Sequence, residues 1–265
     1  MIVNKPIVAV AALIFVLAAA GVYFLRSRNA PLPPAPVAAV NPAPAPAEPG
    51  ISHPLPKAGD NAGLSGPLPN LADSDPPLHE ALAQLTSADA VKQFLVPQDL
   101  VRKMVVTIDN LPRQKVAVEK RPINPIAGSF MATGDELHAT LDQRNFERYK
   151  PMVTLISHLD MKQLAAVYVH FYPLFQESYQ NLGYPNGYFN DRLVEVIDSL
   201  LAAPEPKTPI DLVRPNVMYT YADKSLEARP AGQKLLVRMG PENAKAIKAK
   251  LIELRAAVTA ASLKH

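Results

Sequence analysis

The sequence predicts a mainly α fold, a multi-helix globular domain with a few short strands, preceded by a transmembrane helix and a disordered Pro-rich linker. Three observations predict it: an uncharged apolar run from Pro6 to Leu25, twelve prolines among residues 31–69, and apolar residues at helical spacing through most of residues 70–260. The expected boundaries are a short tail at 1–5, the transmembrane helix at 6–25, the linker at 26–69, the domain at 70–260 and a C-terminal tail at 261–265.

The run Pro6–Leu25 has twenty residues and no strongly polar side chain. At ~1.5 Å rise per residue it spans about 30 Å, the thickness of a bilayer's hydrocarbon core. Tyr23 and Phe24 suit the interface, and Arg26 and Arg28 follow at once. Ala18-Ala19-Ala20 resembles a signal-peptide cleavage site, but the apolar run continues to Leu25 and exceeds the ~7–15 residues of a signal core. A single-pass signal anchor in a bacterial inner membrane is therefore expected, with residues 6–25 contacting lipid. Lys5 flanks one end and Arg26 and Arg28 the other, so flanking charge leaves the orientation nearly tied. The short N-terminal tail and the absence of charge from Asn29 to Ala47 favour a periplasmic domain.

Proline lacks an amide donor and restricts the residue before it, so the stretch 31–69 forms neither helix nor sheet. It reads as a semi-rigid spacer of up to ~3.1 Å per residue. Service as a ligand for a proline-recognition domain is the competing reading.

With no cysteine, the chain has no disulfide, thiolate metal site or cysteine nucleophile. Four basic residues (Lys5, Arg26, Arg28, Lys57) face two acidic ones (Glu48, Asp60) before residue 67, leaving 23 and 22 in the domain. A nearly neutral domain lacks the electrostatic footprint that a phosphate backbone needs, so no nucleic-acid partner is expected.

Within the domain, Ser74 followed by Asp75-Pro76-Pro77 reads as a helix start carrying Leu78, Leu82 and Leu85. Ser87 begins a second helix with Val91, Phe94 and Leu95; Pro97 opens a third with Leu100, Val101, Met104, Val105 and Ile108. Between Asp109 and Thr140, prolines break helix, Val116-Ala117-Val118 is β-prone, and Gly134-Asp135 suggests a small hairpin. Asp142 can cap a helix with Phe146, Tyr149, Val153, Ile156 and Leu159, and Asp160 the next, through Leu164, Val167, Tyr168, Phe171, Leu174, Phe175, Tyr179 and Leu182. Pro173 predicts a kink or break there, and Gly183 and Pro185 a stop. Asn190 or Asp191 can cap a helix with Leu193, Val196, Ile197, Leu200 and Leu201 that ends at Pro204. Ile210–Val213 and Val217–Tyr221 read as extended pieces. Gly240-Pro241 separates a short helix, Lys234–Met239, from a last one with Ile247, Leu251, Leu254 and Val258.

Three blocks carry a resemblance. The first is Asp109-Asn110-Leu111-Pro112-Arg113 with Lys115-Val116-Ala117-Val118. The second runs from Phe171-Tyr172-Pro173-Leu174-Phe175-Gln176 through Leu182-Gly183-Tyr184-Pro185 to Gly187-Tyr188-Phe189-Asn190-Asp191-Arg192-Leu193-Val194-Glu195. The third is Leu212-Val213-Arg214-Pro215 with Gly232-Gln233-Lys234-Leu235-Leu236-Val237-Arg238-Met239-Gly240-Pro241-Glu242-Asn243. Together they resemble the uncharacterised proteobacterial family catalogued as domain of unknown function 3014. The resemblance implies an envelope protein with an N-terminal anchor and carries over no catalytic residue.

The densest polar cluster holds Gln176, Glu177, Tyr179, Tyr184, Tyr188, Asn190, Asp191, Arg192 and Glu195. Gln176, Tyr184, Tyr188, Asn190 and Arg192 are the candidate binding residues, for an envelope protein or a cell-wall glycan. Glu177, Asp191 and Glu195 are the candidate acids of a peptidoglycan- or glycan-active hydrolase, since such chemistry needs paired carboxylates. Helix capping and surface ion pairing account for the same residues without catalysis. The histidines are scattered, so no metal is expected; no glycine-rich phosphate loop or nucleophile elbow occurs, and no cofactor is expected. The block Asp109–Arg113 reads chiefly as a helix end that routes the chain, or else as the lining of a groove. Lys245, Lys248, Lys250 and Arg255 form a basic helix face, read as solvated surface in preference to a lipid contact.

Overall fold

The computed structural model describes residues 50–56, 67–116, 118–135, 138–215 and 218–259. The expected transmembrane helix and most of the expected linker fall outside them; among the described residues no helix is long and apolar enough to cross a membrane. The domain is mainly helical. Helices α1 (Asp75–Leu85), α2 (Ala88–Phe94) and α3 (Leu100–Asn110) come first. Strands β1 (Ala132–Thr133) and β2 (Ala139–Leu141) lead into α4 (Arg144–Ser157), α5 (Met161–Asn181) and α6 (Phe189–Leu201). Strands β3 (Asp211–Val213) and β4 (Thr220–Tyr221), then α7 (Lys224–Glu227), α8 (Ala231–Met239) and α9 (Pro241–Val258), complete it.

Helix α5 is the axis: α1, α3, α6 and α9 all pack on it, and α9 also packs on α4 and α6. Its stripe, from Leu164 and Tyr168 through Phe171, Phe175 and Tyr179, is buried along the whole length. Pro173 does not break this helix, contrary to the expectation from proline alone, and α4 likewise runs through Pro151. Both prolines are exposed, so their rings lie on the solvent side of the helices. An interior proline costs about 3 kcal/mol, whereas one buried Leu or Phe returns ~1.5–3 kcal/mol, and α5 buries several on each side of Pro173.

Four short strands form an antiparallel sheet in the order β1-β2-β3-β4, with α4, α5 and α6 inserted between β2 and β3. Ala139 pairs with Leu212 and Leu212 with Tyr221, so Ala139, Leu141, Leu212 and Tyr221 turn inward onto Val237 of α8 in a second, smaller core. The predicted hairpin and both later extended pieces thus exist, each shortened. Of the β-prone stretch, the described Val116 and Val118 lie in no strand: Val116 is buried, and Val118 opens a 3₁₀ turn, Val118–Lys120.

Local chemistry explains the helix ends. Ser87 Oγ accepts from the Ala90 amide, and Asp160 from the amides of Lys162 and Gln163. Helix α3 begins at Leu100, not at Pro97; Asp75, in the first turn of α1, supplies its cap by accepting from the amides of Asp99 (2.7 Å) and Leu100 (2.8 Å). Asp142 lies just outside α4 and accepts from the Arg144 amide at 2.8 Å. Neither Asn190 nor Asp191 caps α6; Tyr188 holds the cap position, leaving both side chains to other partners. Gly240 adopts φ +85°, and a Cβ there would meet Phe146 at 2.5 Å, so only glycine joins α8 to α9 this tightly.

Residues 50–56, within the stretch expected to be disordered, lie on the domain. The amides of Ser52 and His53 donate to Asp191, and Leu55 packs against the main core. A proline-flanked segment has little backbone freedom to lose on docking, and a few hydrogen bonds with one apolar contact hold it.

Candidate functional site

The turn between α5 and α6 is fixed from below by Gln176. Its Oε1 accepts from the Phe189 amide (2.8 Å) and the Tyr172 hydroxyl (2.9 Å), and its Nε2 donates to the Gly187 carbonyl (2.7 Å). Phe189 is fully buried and stacks on Phe175, with centroids 5.7 Å apart and planes within 8°. On the other side of the turn, Tyr184 stacks on Tyr179 at 4.5 Å. Gln176 is therefore a clamp for the turn rather than a group presented to a ligand.

Asp109 organises the charge. It ends α3 with its side chain only 4% exposed, and it meets Arg192 of α6 and Arg113 of the following loop. Oδ1 accepts from Arg192 Nε at 3.1 Å; Oδ2 accepts from Arg113 at 2.7 Å and from the Tyr184 hydroxyl at 3.3 Å. Arg192 also donates to the Asp109 carbonyl (2.7 Å) and to Glu195 (2.8 Å). Burial alone would push the Arg192 guanidinium down, but the hydrogen bond and charge of Glu195 and the charge of Asp109 outweigh it, and the net shift is upward. Burial also raises the Tyr179 phenol.

Asn190 is buried below this layer. It accepts from the Tyr168 hydroxyl (3.1 Å) and donates to the carbonyls of Val258 (3.1 Å) and His53 (2.8 Å). Asp191 accepts the Ser52 and His53 amides at 3.0 and 2.6 Å.

These groups line an open groove of about 510 Å³. Asp109 and Arg192 contribute with Tyr179, Tyr184, Tyr188 and the acids Asp191 and Glu195, and Gly50, Ser52 and His53 form the remaining wall. Of the residues singled out in the sequence, Tyr179, Tyr184, Tyr188, Asp191, Arg192 and Glu195 meet here. Gln176 and Asn190 act beneath, and Glu177 is exposed on α5 and not part of the lining. The sequence alone points to chain routing for Asp109 and to spacer for residues 50–53, yet both line the groove. Asp109 carried a signal, since it falls four residues after Val105 on the buried stripe and four before Arg113; an acid there requires partners.

A second hollow, about 390 Å³, lies between Thr133, Thr140, Asp142, Phe146 and Pro209. Asp142 is already committed there to Arg144 (2.6 Å) and the Thr133 hydroxyl (2.7 Å), and these hydrogen bonds, Arg144 first, hold its carboxyl well below the usual range. Among the described residues no group of three or more His, Asp or Glu side chains could hold a metal ion. The basic face of α9 is largely used internally: Lys248 binds the Ala203 carbonyl and Glu205, Lys250 the Leu159 carbonyl and Glu253, and Arg255 binds Asp198 through two hydrogen bonds.

Both faces of the main groove, the Asp109 block and the turn-plus-α6 block, come from the segments that carry the resemblance noted in the sequence. Residues 100–255, more than half of the chain, match the family described as protein of unknown function (DUF3014). The chain belongs to the DUF3014 family. No curated protein and no solved structure matches it. The DUF3014 match takes in Asp109, Tyr184, Arg192 and Glu195 and begins after α1, α2 and the segment 50–56.

Proposed function

We propose that this DUF3014 protein is a membrane-anchored interaction module of the bacterial envelope, binding a protein or cell-wall partner through the tyrosine-lined groove over Asp109 and Arg192. The apolar run at 6–25 supplies the anchor, the proline-rich stretch supplies reach, and the domain is periplasmic. The observation that carries the binding role is the groove itself. Tyr184 and Tyr188 offer aromatic surface, and Glu195 and Asp191 offer acceptors, on a floor held rigid by the Asp109–Arg192 pair. Tyrosine rings beside hydrogen-bonding groups suit both peptide and sugar partners.

A binding role also suits the state of the acids. A glycan-cleaving pair needs one carboxyl free to donate a proton and a second across the scissile bond. Asp109 receives two arginines, Asp191 two amides, and Glu195 one arginine. Each is engaged as an acceptor, which favours a structural or binding use over acid catalysis.

The test is recovery of partners from crosslinked envelopes by the full-length chain and by its Tyr188→Ala/Glu195→Ala variant. The wild type should retain a specific protein or glycan that the variant loses. Equal recovery by both, or clearing of purified peptidoglycan by the wild type alone, would overturn the proposal.

A further inference from the structure

Segment 50–56 is held through its main chain. Two successive amides, Ser52 and His53, donate to one carboxylate, and the His53 carbonyl accepts from the neighbouring Asn190 amide. The receiving pair is preorganised, because Asn190 is 1% exposed and its remaining bonds to Tyr168 and Val258 fix its orientation. Two residues on, Leu55 packs against the main core, and the segment bends at Ser52 and His53, turning both amides toward one carboxylate, while Pro54 and Pro56 limit its backbone freedom.

Such recognition is generic for backbone and selective only for shape. Any chain that bends to offer two successive amides, a carbonyl and an apolar residue two places later satisfies it, and proline-containing chains do so at the smallest entropic cost. We propose that Asn190 and Asp191 form a clamp for a bent, proline-containing peptide, filled in cis by residues 50–56. The trans ligand is then a peptide of the same pattern, which must displace this strap and so move one wall of the groove. The proposal deepens the reading of the groove as an interaction site, yet strap docking is measurable without any partner. Ten residues, 57–66, join the strap to the domain. A short link of this kind gives an effective concentration on the order of millimolar, so the strap should suppress a weak competitor strongly.

The test uses the full-length chain. Hydrogen exchange should show the Ser52 and His53 amides slowed at least tenfold against a free peptide of residues 48–58, with that protection lost in Asp191→Ala while α5 amides stay protected. The Ser52→Pro/His53→Pro variant, altered outside every helix, removes both donors and empties the clamp. A fluorescent peptide of residues 48–58 should bind this variant at least tenfold more tightly than wild type and should not bind Asp191→Ala. Ser52 and His53 amides exchanging at free-peptide rates in wild type would overturn the strap. Equal peptide binding by the emptied clamp and by Asp191→Ala, or none by either, would overturn the trans ligand. Neither result depends on whether an envelope partner is recovered, so failure here is distinct from failure of the proposed function.

Discussion

Replacing Asp109 with alanine removes the acceptor shared by Arg192, Arg113 and Tyr184. The cost follows from how much each partner regains from water. The Arg113 side chain is 54% exposed and is readily rehydrated, whereas Arg192 is 17% exposed and is not. Breaking a buried ion pair from one side costs ~3–5 kcal/mol. Arg192 keeps two anchors, the residue-109 carbonyl and Glu195, so the low end applies, about 3 kcal/mol. For a domain of this size each kcal/mol moves Tm by ~2–4 °C, giving a loss of roughly 6–12 °C by circular dichroism melting. Asp109→Asn keeps one acceptor but turns an amide donor toward Arg113 and Tyr184, and should fall between wild type and alanine. Arg113→Ala, which removes a mostly exposed partner, should cost about 1 kcal/mol or less. A Tm loss below about 2 °C for Asp109→Ala, or one equal to that of Arg113→Ala, would refute the view that a buried Asp109–Arg192 pair floors the groove.

Four further outcomes are expected. Gly240→Ala forces a Cβ to within 2.5 Å of Phe146 at φ +85° and should cost at least ~2 kcal/mol in urea unfolding; a loss under half that would contradict the close approach. Gln176→Leu leaves the Phe189 amide and Gly187 carbonyl without their partner, which should cost ~2–3 kcal/mol and speed exchange across residues 182–188; unchanged exchange there would show the clamp to be unimportant. Burial raises the phenols of Tyr149 and Tyr168, and pushes Tyr221 up from 10.0 to about 12, so the neutral forms stabilise the fold. A raised folded pKa gives stability that is complete below pH 10 and lost as pH rises toward about 12, so ultraviolet titration should show these phenolates appearing together with loss of helix. Reversible titration of all nine tyrosines with helix intact would contradict this. Finally, a reporter active only in the periplasm, fused to the C-terminus, should be active; an inactive fusion at normal expression would place the domain on the other side.

Much of the fold was legible because helix stripes and caps are local signals. The apolar positions 100, 101, 104, 105 and 108 and the capping Ser87 and Asp160 appear in the structure as the sequence implies. What was not legible depends on energies summed over distant contacts. Pro173 sits within an unbroken helix because the burial along α5 outweighs one lost hydrogen bond. The cap of α3 comes from Asp75, 24 and 25 residues from the amides it receives, and no window around Pro97 contains that information. The site divides the same way. Tyr184, Tyr188, Asp191, Arg192 and Glu195 lie within twelve residues of one another and were found as a cluster. Asp109 and His53 join them across 83 and 138 residues of chain, a proximity only the tertiary fold creates.

The central claim is that the groove over Asp109 and Arg192 is the face through which this protein meets its partner. Site-specific photocrosslinking in intact cells tests it most directly, with the photoreactive residue placed at Tyr188 in the groove and, as control, at exposed Ile252 on α9. A discrete adduct should form from Tyr188 and weaken in Asp109→Ala, and none should form from Ile252. Adducts of equal yield from both positions, or none from Tyr188, would contradict it.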